Sequence, residues 1–205
     1  MPISHANVLF GLDCASAPVR GSVPAENLLL KLNPALLPES EPAAIIIAAE
    51  APILSDATIS YQTLVHLRQP RASSLVFLTS AGETLAMALL AASLTLDGAE
   101  AGAFVLAYIL ESVSPAPVGA RDYEAFAFLI HRVPPPDCAV LVAELKEGTS
   151  KSFAREVLSA AALQRIVEHA RAARPLRQTT LLIGRAPGLD GEQKCHLLRL
   201  HEKEM

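Results

Sequence analysis

The stretch SSLVFLTSAGETLAMALLAASLTLDG, residues 73–98, holds the strand and the helix around which we expect the rest of the chain to fold. Residues 75–78 form an apolar run that is too short for a helix and rich in strand-forming residues, so they predict a buried strand. A sharp transition follows at residues 79–82, and Glu83 then lies in the first turn of a helix of Ala, Leu and Met that stops at Gly98. Because this helix is apolar on every side, we expect it to be buried on every side.

The turn between this strand and this helix is the first candidate for a functional site. The backbone N–H groups and the dipole at a helix N-terminus favour an anion or an activated nucleophile. Ser80 is the candidate nucleophile, because a strand-to-helix turn exposes a side chain to such N–H donors. The Gly-x-Ser-x-Gly motif is absent and no motif places a histidine base, so a serine that only satisfies the turn is the alternative. Glu83 is either a general acid or a carboxylate that complements the helix dipole.

The same stretch resembles the nucleophile region of β-ketoacyl synthases and other thiolase-fold condensing enzymes. In that family a buried strand ends in Thr-Ala-Cys or a variant of it, the cysteine heads a buried helix, and a glycine ends the helix before an apolar strand. Here Thr79-Ser80-Ala81 is similar to the tripeptide, Gly98 stands where the glycine is expected, and residues 101–110 resemble the following strand. Ala81 matches the nucleophile, so on this alignment the catalytic cysteine is absent.

The resemblance covers residues 41–147 and, more weakly, residues 152–185. It implies an α/β fold, a thiolase-like layered α/β/α half with a mixed, mostly parallel sheet and a truncated second half. The whole chain would be one thiolase-like domain, with a core similar to the N-terminal half over residues 1–150 and a helix–strand remnant of the second half over residues 151–205. The strand that bears the family's first catalytic histidine ends here in Gly184-Arg185.

The function implied by the resemblance is that of a non-catalytic, chain-length-factor-like subunit. Such a subunit partners an active β-ketoacyl synthase in type II fatty-acid or polyketide synthesis, and it needs no catalytic residue and no cofactor of its own. In the family, the strand before the nucleophile lies at the sheet edge and pairs with its counterpart across a dimer axis. The expected partner is a full-length ketosynthase or a second copy of this chain, with acyl carrier protein as a further partner. The interface residues implied here are Ser73, Ser74, Leu75, Val76, Phe77 and Leu78.

Two other functions stay open on the residues alone. The first is a small α/β hydrolase or acyltransferase that uses Ser80. The second is an α/β scaffold protein without acyl chemistry, whose likeness to condensing enzymes follows only from an alanine-rich α/β composition.

Composition limits the compartment and the class of partner. A chain of 205 residues suits one domain, and its 51% hydrophobic content indicates many buried elements or a large partner interface. A net charge of −4 and a pI near 5.9 give no electrostatic reason to expect nucleic acid or an anionic membrane as a partner. We find neither a secretory leader nor an apolar run near the ~20 residues of a membrane span, so we expect a cytoplasmic protein.

Isolated histidines, cysteines and arginines give weaker signals. Cys14, Cys138 and Cys195 are odd in number and lack a Cys-x-x-Cys pair, so they predict neither a disulfide framework nor a zinc site. A cluster of Cys195, His196 and His201 has no metal-site spacing, and an ordinary strand is favoured there. His66 and His131 fall inside predicted elements, as core or surface histidines do, and Arg185 is a candidate contact for a phosphate or a carboxylate.

The remaining apolar patterns predict an alternation of strands and helices. A continuous rather than alternating apolar run at residues 43–49 indicates a strand buried on both faces. The helix after Ser152 carries one apolar stripe of Leu163, Ile166, Val167 and Ala170. The other predicted strands are residues 6–12, 101–110, 123–133, 139–145, 179–183 and 195–200, the helices are residues 26–32, 56–67 and 152–173, and residues 13–22 are a loop.

Overall fold

The computed structural model describes residues 9–22, 25–32, 40–50, 74–80, 83–113, 122–133, 141–149, 157–171, 179–187 and 193–201. These ranges contain nine strands and three helices. The strands are β1 (Leu9–Cys14), β2 (Val19–Ser22), β3 (Ala44–Glu50), β4 (Ser74–Ser80), β5 (Phe104–Ser112), β6 (Asp122–His131), β7 (Leu141–Thr149), β8 (Thr179–Pro187) and β9 (Gln193–His201). The helices are α1 (Ala25–Lys31), α2 (Thr84–Leu96) and α3 (Ala160–Arg171).

The described strands form one sheet in the order β4-β3-β5-β6-β1-β7-β9-β8, and β2 pairs with β6. Two of the described pairs are parallel, β3 with β4 and β3 with β5. The other described pairs are antiparallel. The α/β class with a mixed sheet is therefore confirmed, whereas the expectation of a mostly parallel sheet is wrong. Only residues 188–192 separate β8 from β9 in the sequence. A connection of this length fits an antiparallel pair, because a parallel pair needs a crossover of a dozen or more residues.

Alternate residues of the strands divide the core between the two faces of the sheet. On one face, Ile46, Ile109 and Phe128 share a core with residues of α2 and α3. On the other face, Ile45 and Tyr108 share a core with residues of α1. Helices thus cover both faces, and residues 44–49 of β3 are fully buried, as their continuous apolar run predicts.

Most predicted strands are confirmed with ends shifted by a few residues, and the predicted C-terminal strand is β9. The loop predicted over residues 13–22 is wrong in part, because Val19–Ser22 forms β2 and pairs with Asp122 to Ala125 of β6. The helix predicted over residues 56–67 lies outside the described residues.

Helix α2 corrects two expectations. Glu83 is the N-cap residue rather than part of the first turn, and its side chain makes no capping hydrogen bond. Leu94 is 64% exposed and Met87 is 38% exposed, so burial on every side is wrong. The helix packs on β3, β5 and β4, at the end of the sheet, and one side of it faces outward. Its end is as predicted, because Gly98 adopts a φ of 74° that favours glycine.

Helix α3 begins at Ala160, later than the predicted start at Ser152. Ser159 stands before the helix, and its Oγ accepts a hydrogen bond from the N–H of Ala162 at 3.2 Å. This bond satisfies one of the free N–H groups of the first turn. The predicted apolar stripe is confirmed, with Leu163 and Val167 fully buried and its other two members packed partly against the same core.

Candidate functional site

Three glutamates stand side by side where the parallel strands end. Glu50 is the last residue of β3, Glu111 is the next-to-last of β5, and Glu124 lies near the start of β6. Glu111 pairs in register with Glu124, and Glu50 directly follows Ala49, which pairs with Leu110. Paired residues of neighbouring strands project to the same face, so these three side chains share the face covered by α2 and α3. We call Glu50, Glu111 and Glu124 the glutamate row.

A cavity of about 150 Å³ opens beside the glutamate row. Its polar lining comes from two glutamates of the row, from the last residue of β5 and from the residues just before α2 and α3. Its polar residues are Glu50, Glu83, Glu111, Ser112 and Ser159, and its apolar residues are Leu85, Val157, Leu158 and Ile183. The cavity lies at the carboxyl ends of β3 and β5, which is where open α/β sheets commonly bind ligands.

Glu111 is a carboxyl of this cavity whose pKa lies near neutral pH. Burial raises the pKa of Glu111 to about 7, the hydrogen bond from Ala160 opposes this rise, and the charges of Glu50 and Glu124 add to it. The Oε2 atom of Glu111 accepts the N–H of Ala160 at 2.8 Å, which ties β5 to the start of α3. A group with a pKa near 7 can give or take a proton at neutral pH, as general acid–base chemistry requires.

The strand that bears the sequence-predicted nucleophile ends beside this cavity. Ser80 is the last residue of β4 and pairs in register with Glu50 of the glutamate row. The side chain of Ser80 and the whole of Ala81 lie outside the described residues, so the role of either residue stays a prediction. Glu83, the other candidate at this turn, borders the cavity.

His131 does not belong to the site. It is the last residue of β6, seven positions after Glu124, which along a strand corresponds to roughly 23 Å. Its ring lies 6.0 Å from that of Phe104, and burial lowers its pKa while Asp13 opposes this shift. His131 is thus a core histidine and is too distant to serve as a base for Ser80.

The other titratable candidates are not brought to the cavity. Cys195, His196 and His201 fall in β9, the ordinary strand that was favoured there, and Arg185 falls in β8. Within the part of the chain that the structure describes, no group of three or more His, Cys, Asp and Glu side chains could hold a metal ion. His66 lies outside that part, as does Cys138.

The predicted interface strand is the edge of the described sheet. β4 pairs with β3 on one side, and no other described strand pairs with it. Phe77 is 44% exposed on this strand, while Leu75 and Val76 are partly buried against the two cores. Ser74 and Leu78 also belong to β4, and Ser73 lies outside the described residues.

Sequence reasoning did not identify the glutamate row. Glu50 and Glu111 each directly follow an apolar run, AAIIIAA and FVLAYIL. A charged residue at the end of a fully buried strand was the available signal for these two. Glu124 gives no such signal, because it comes near the start of its strand and meets Glu111 only through the register of β5 with β6.

No protein-family model matches this chain, and a search of the curated proteins finds no significant match. Among the described helices, none combines the length and the apolar character needed to cross a membrane. Among the described residues, the edge of β4, the glutamate row and the cavity beside it are the features that bear on function.

Proposed function

We propose that the chain is a non-catalytic, chain-length-factor-like subunit that assembles with an active β-ketoacyl synthase in type II fatty-acid or polyketide synthesis. The observation that carries the proposal is the edge position of β4. This strand lies next to the parallel strand β3, leads into α2 and has no described partner on its outer side. The same relation of edge strand to following helix is what the resemblance to thiolase-fold condensing enzymes implies for a dimer interface.

Exposed apolar side chains lie on β4 and on the helix that follows it. Phe77 of β4 is 44% exposed, and Met87 and Leu94 of α2 are 38% and 64% exposed. An edge strand with unpaired N–H and C=O groups and apolar side chains is prone to pair with another chain. An antiparallel partner strand would complete the ladder, and an obligate interface of this kind buries more than about 2,000 Å².

The expected lack of condensing activity rests on the missing thiol. Ala81 stands where the resemblance places the nucleophilic cysteine. Cys14 cannot replace it, because it is 2% exposed in β1 and its Sγ lies 4.0 Å from the carbonyl oxygen of Gln164. A thiol buried in apolar surroundings is inert as a nucleophile.

A second candidate function is a hydrolase or acyltransferase that uses Ser80. Its support is that β4 ends in register with Glu50, beside the cavity that Glu111 also lines. In such an enzyme Glu111, with a pKa of about 7, would accept the hydroxyl proton as general base.

The two candidate functions predict different covalent products. Incubation of the purified chain with acyl-carrier-protein thioesters should leave its intact mass unchanged, because Ala81 stands at the nucleophile position and Cys14 is buried. A stable acyl adduct would contradict the proposal that the chain is a non-catalytic subunit. A fluorophosphonate adduct that forms on the wild type and not on Ser80→Ala would favour the serine enzyme instead.

Assembly through β4 is tested by blocking its outer edge. Val76→Pro removes a backbone donor, and Phe77→Lys places a charge on an exposed apolar position, so each should convert the complex into smaller species. Val76→Thr keeps the donor and the shape and is the matched control. Molar mass is measured by light scattering, with and without a co-expressed ketosynthase, and circular dichroism verifies that each variant is folded. A wild-type chain that is monomeric under both conditions contradicts the proposal.

A further inference from the structure

A second cavity, of about 290 Å³, lies between α3 and the start of β6. Helix α3 lines it with Gln164, Arg165 and Glu168, which share one helical face, and β6 lines it with Glu124 and Phe126. We call it the Gln164 groove. Its volume is near the lower limit of ligand pockets, so it suits a small molecule.

Gln164 has a buried acceptor that the protein leaves unmet. The residue is only 2% exposed. Its Nε2 donates a hydrogen bond to Oε1 of Glu168 at 2.8 Å, while its own Oε1 has no hydrogen-bond partner. A buried polar atom without a partner destabilises the fold, and such atoms in native proteins call for a specific explanation. Because the bond to Glu168 fixes which end of the amide is the donor, the unmet atom is a carbonyl oxygen that requires an N–H or O–H donor.

The charges of the groove select the class of donor. Glu124 and Glu168 bring two carboxylates and Arg165 brings one positive charge, and the side chains of Arg165 and Glu168 are both exposed. Arg20, which pairs in register with Glu124, forms an ion pair with Asp122, so these two residues add no net charge beside the groove. The sum favours a cation. Glu124 is also in register with Glu111, so further negative charge lies beside the groove whenever Glu111 is ionised.

We propose that the Gln164 groove binds a small organic cation with N–H donors, a primary ammonium or a guanidinium group. One N–H reaches Oε1 of Gln164 when the buried amide turns toward the groove, the carboxylate of Glu124 balances the charge, and the exposed ring of Pro18 contacts the alkyl part of the ligand. This site is separate from the edge of β4 and does not depend on the proposed function.

The test uses simple cations that differ in one property at a time. Calorimetry of the full chain should show saturable binding of n-butylammonium or of n-butylguanidinium, and the stronger of the two identifies the head group. Tetramethylammonium carries the same charge without an N–H donor and should bind at least tenfold more weakly.

Variants of the groove separate binding from folding. Gln164→Met keeps the length of the side chain and removes the unmet acceptor, so it should bind the cation at least tenfold more weakly while melting at the same or a higher temperature. Glu124→Gln should also weaken binding about tenfold. Glu100→Gln, which changes an exposed glutamate outside the groove, should bind like the wild type.

Three results would overturn the proposal. These are no saturable binding of either alkyl cation to the folded wild type, equal binding of tetramethylammonium, or unchanged binding by Gln164→Met. If Gln164→Met does not fold, Glu124→Gln decides, and unchanged binding by that variant overturns the proposal as well.

Discussion

Glu111→Gln is expected to be more stable than the wild type above pH 7, by an amount that shrinks to nearly nothing as the pH falls toward 4.5. The pKa of Glu111 rises from 4.5 to about 7 on folding. Between these values the folded state binds more protons than the unfolded state, so the free energy of unfolding of the wild type falls as the pH rises through this window. At 1.36 kcal/mol per pKa unit, the full effect is on the order of 3 kcal/mol.

The amide of the variant explains why it should retain the fold. Its carbonyl oxygen can still accept the N–H of Ala160, which Glu111 binds at 2.8 Å. Urea unfolding at intervals from pH 4.5 to 8 measures the difference, with Glu100→Gln as the control for loss of an exposed carboxylate. Parallel stability profiles for the wild type and Glu111→Gln would show that the carboxyl is not buried as described.

Ala88→Leu is expected to lower the free energy of unfolding by about 1–3 kcal/mol, because extra methylenes do not fit a well-packed core. Ala88 is fully buried in α2 and belongs to the core that contains Ile46 and Val105. Leu94→Ala on the outward side of the same helix is the control and should change stability by no more than about 0.5 kcal/mol. Equal urea midpoints for Ala88→Leu and the wild type would mean that α2 does not pack on the sheet through this side.

The order of elements could be predicted from sequence wherever apolar runs are continuous and bounded by Pro or Gly. The strand at Ala44–Glu50 and the end of α2 at Gly98 are examples, since each depends on local chemistry. Strand direction was not predictable in this way. The packing of the whole sheet determines which strands pair. No pattern in the sequence near β1 indicates its position between β6 and β7.

The composition of α2 was likewise an incomplete guide to its burial. The helix packs at the end of the sheet, so its composition predicted the buried side at Ala88 and failed on the exposed side at Leu94. An exposed apolar helix face at the end of a sheet is also what we expect of an interface whose partner is absent.

The candidate site was predictable only at the turn after β4. The sequence predicted a candidate nucleophile at Ser80, because a helix follows a strand there, and Ser80 pairs in register with Glu50. The glutamate row could not be predicted, because its members become neighbours through strand registers that join residues far apart in the chain. The unmet oxygen of Gln164 is a property of three-dimensional packing alone.

The central position of β1 also constrains how the protein is made. Its partners β6 and β7 begin at Asp122 and Leu141, so residues 9–14 leave the ribosome more than a hundred residues before the strands that flank them. At ordinary translation rates of about 5–20 residues per second, this interval is on the order of ten seconds. During it, Phe10 and Leu12, which are buried in the finished sheet, have no strand to pair with. We therefore expect β1 to complete its pairing only after β7 has emerged.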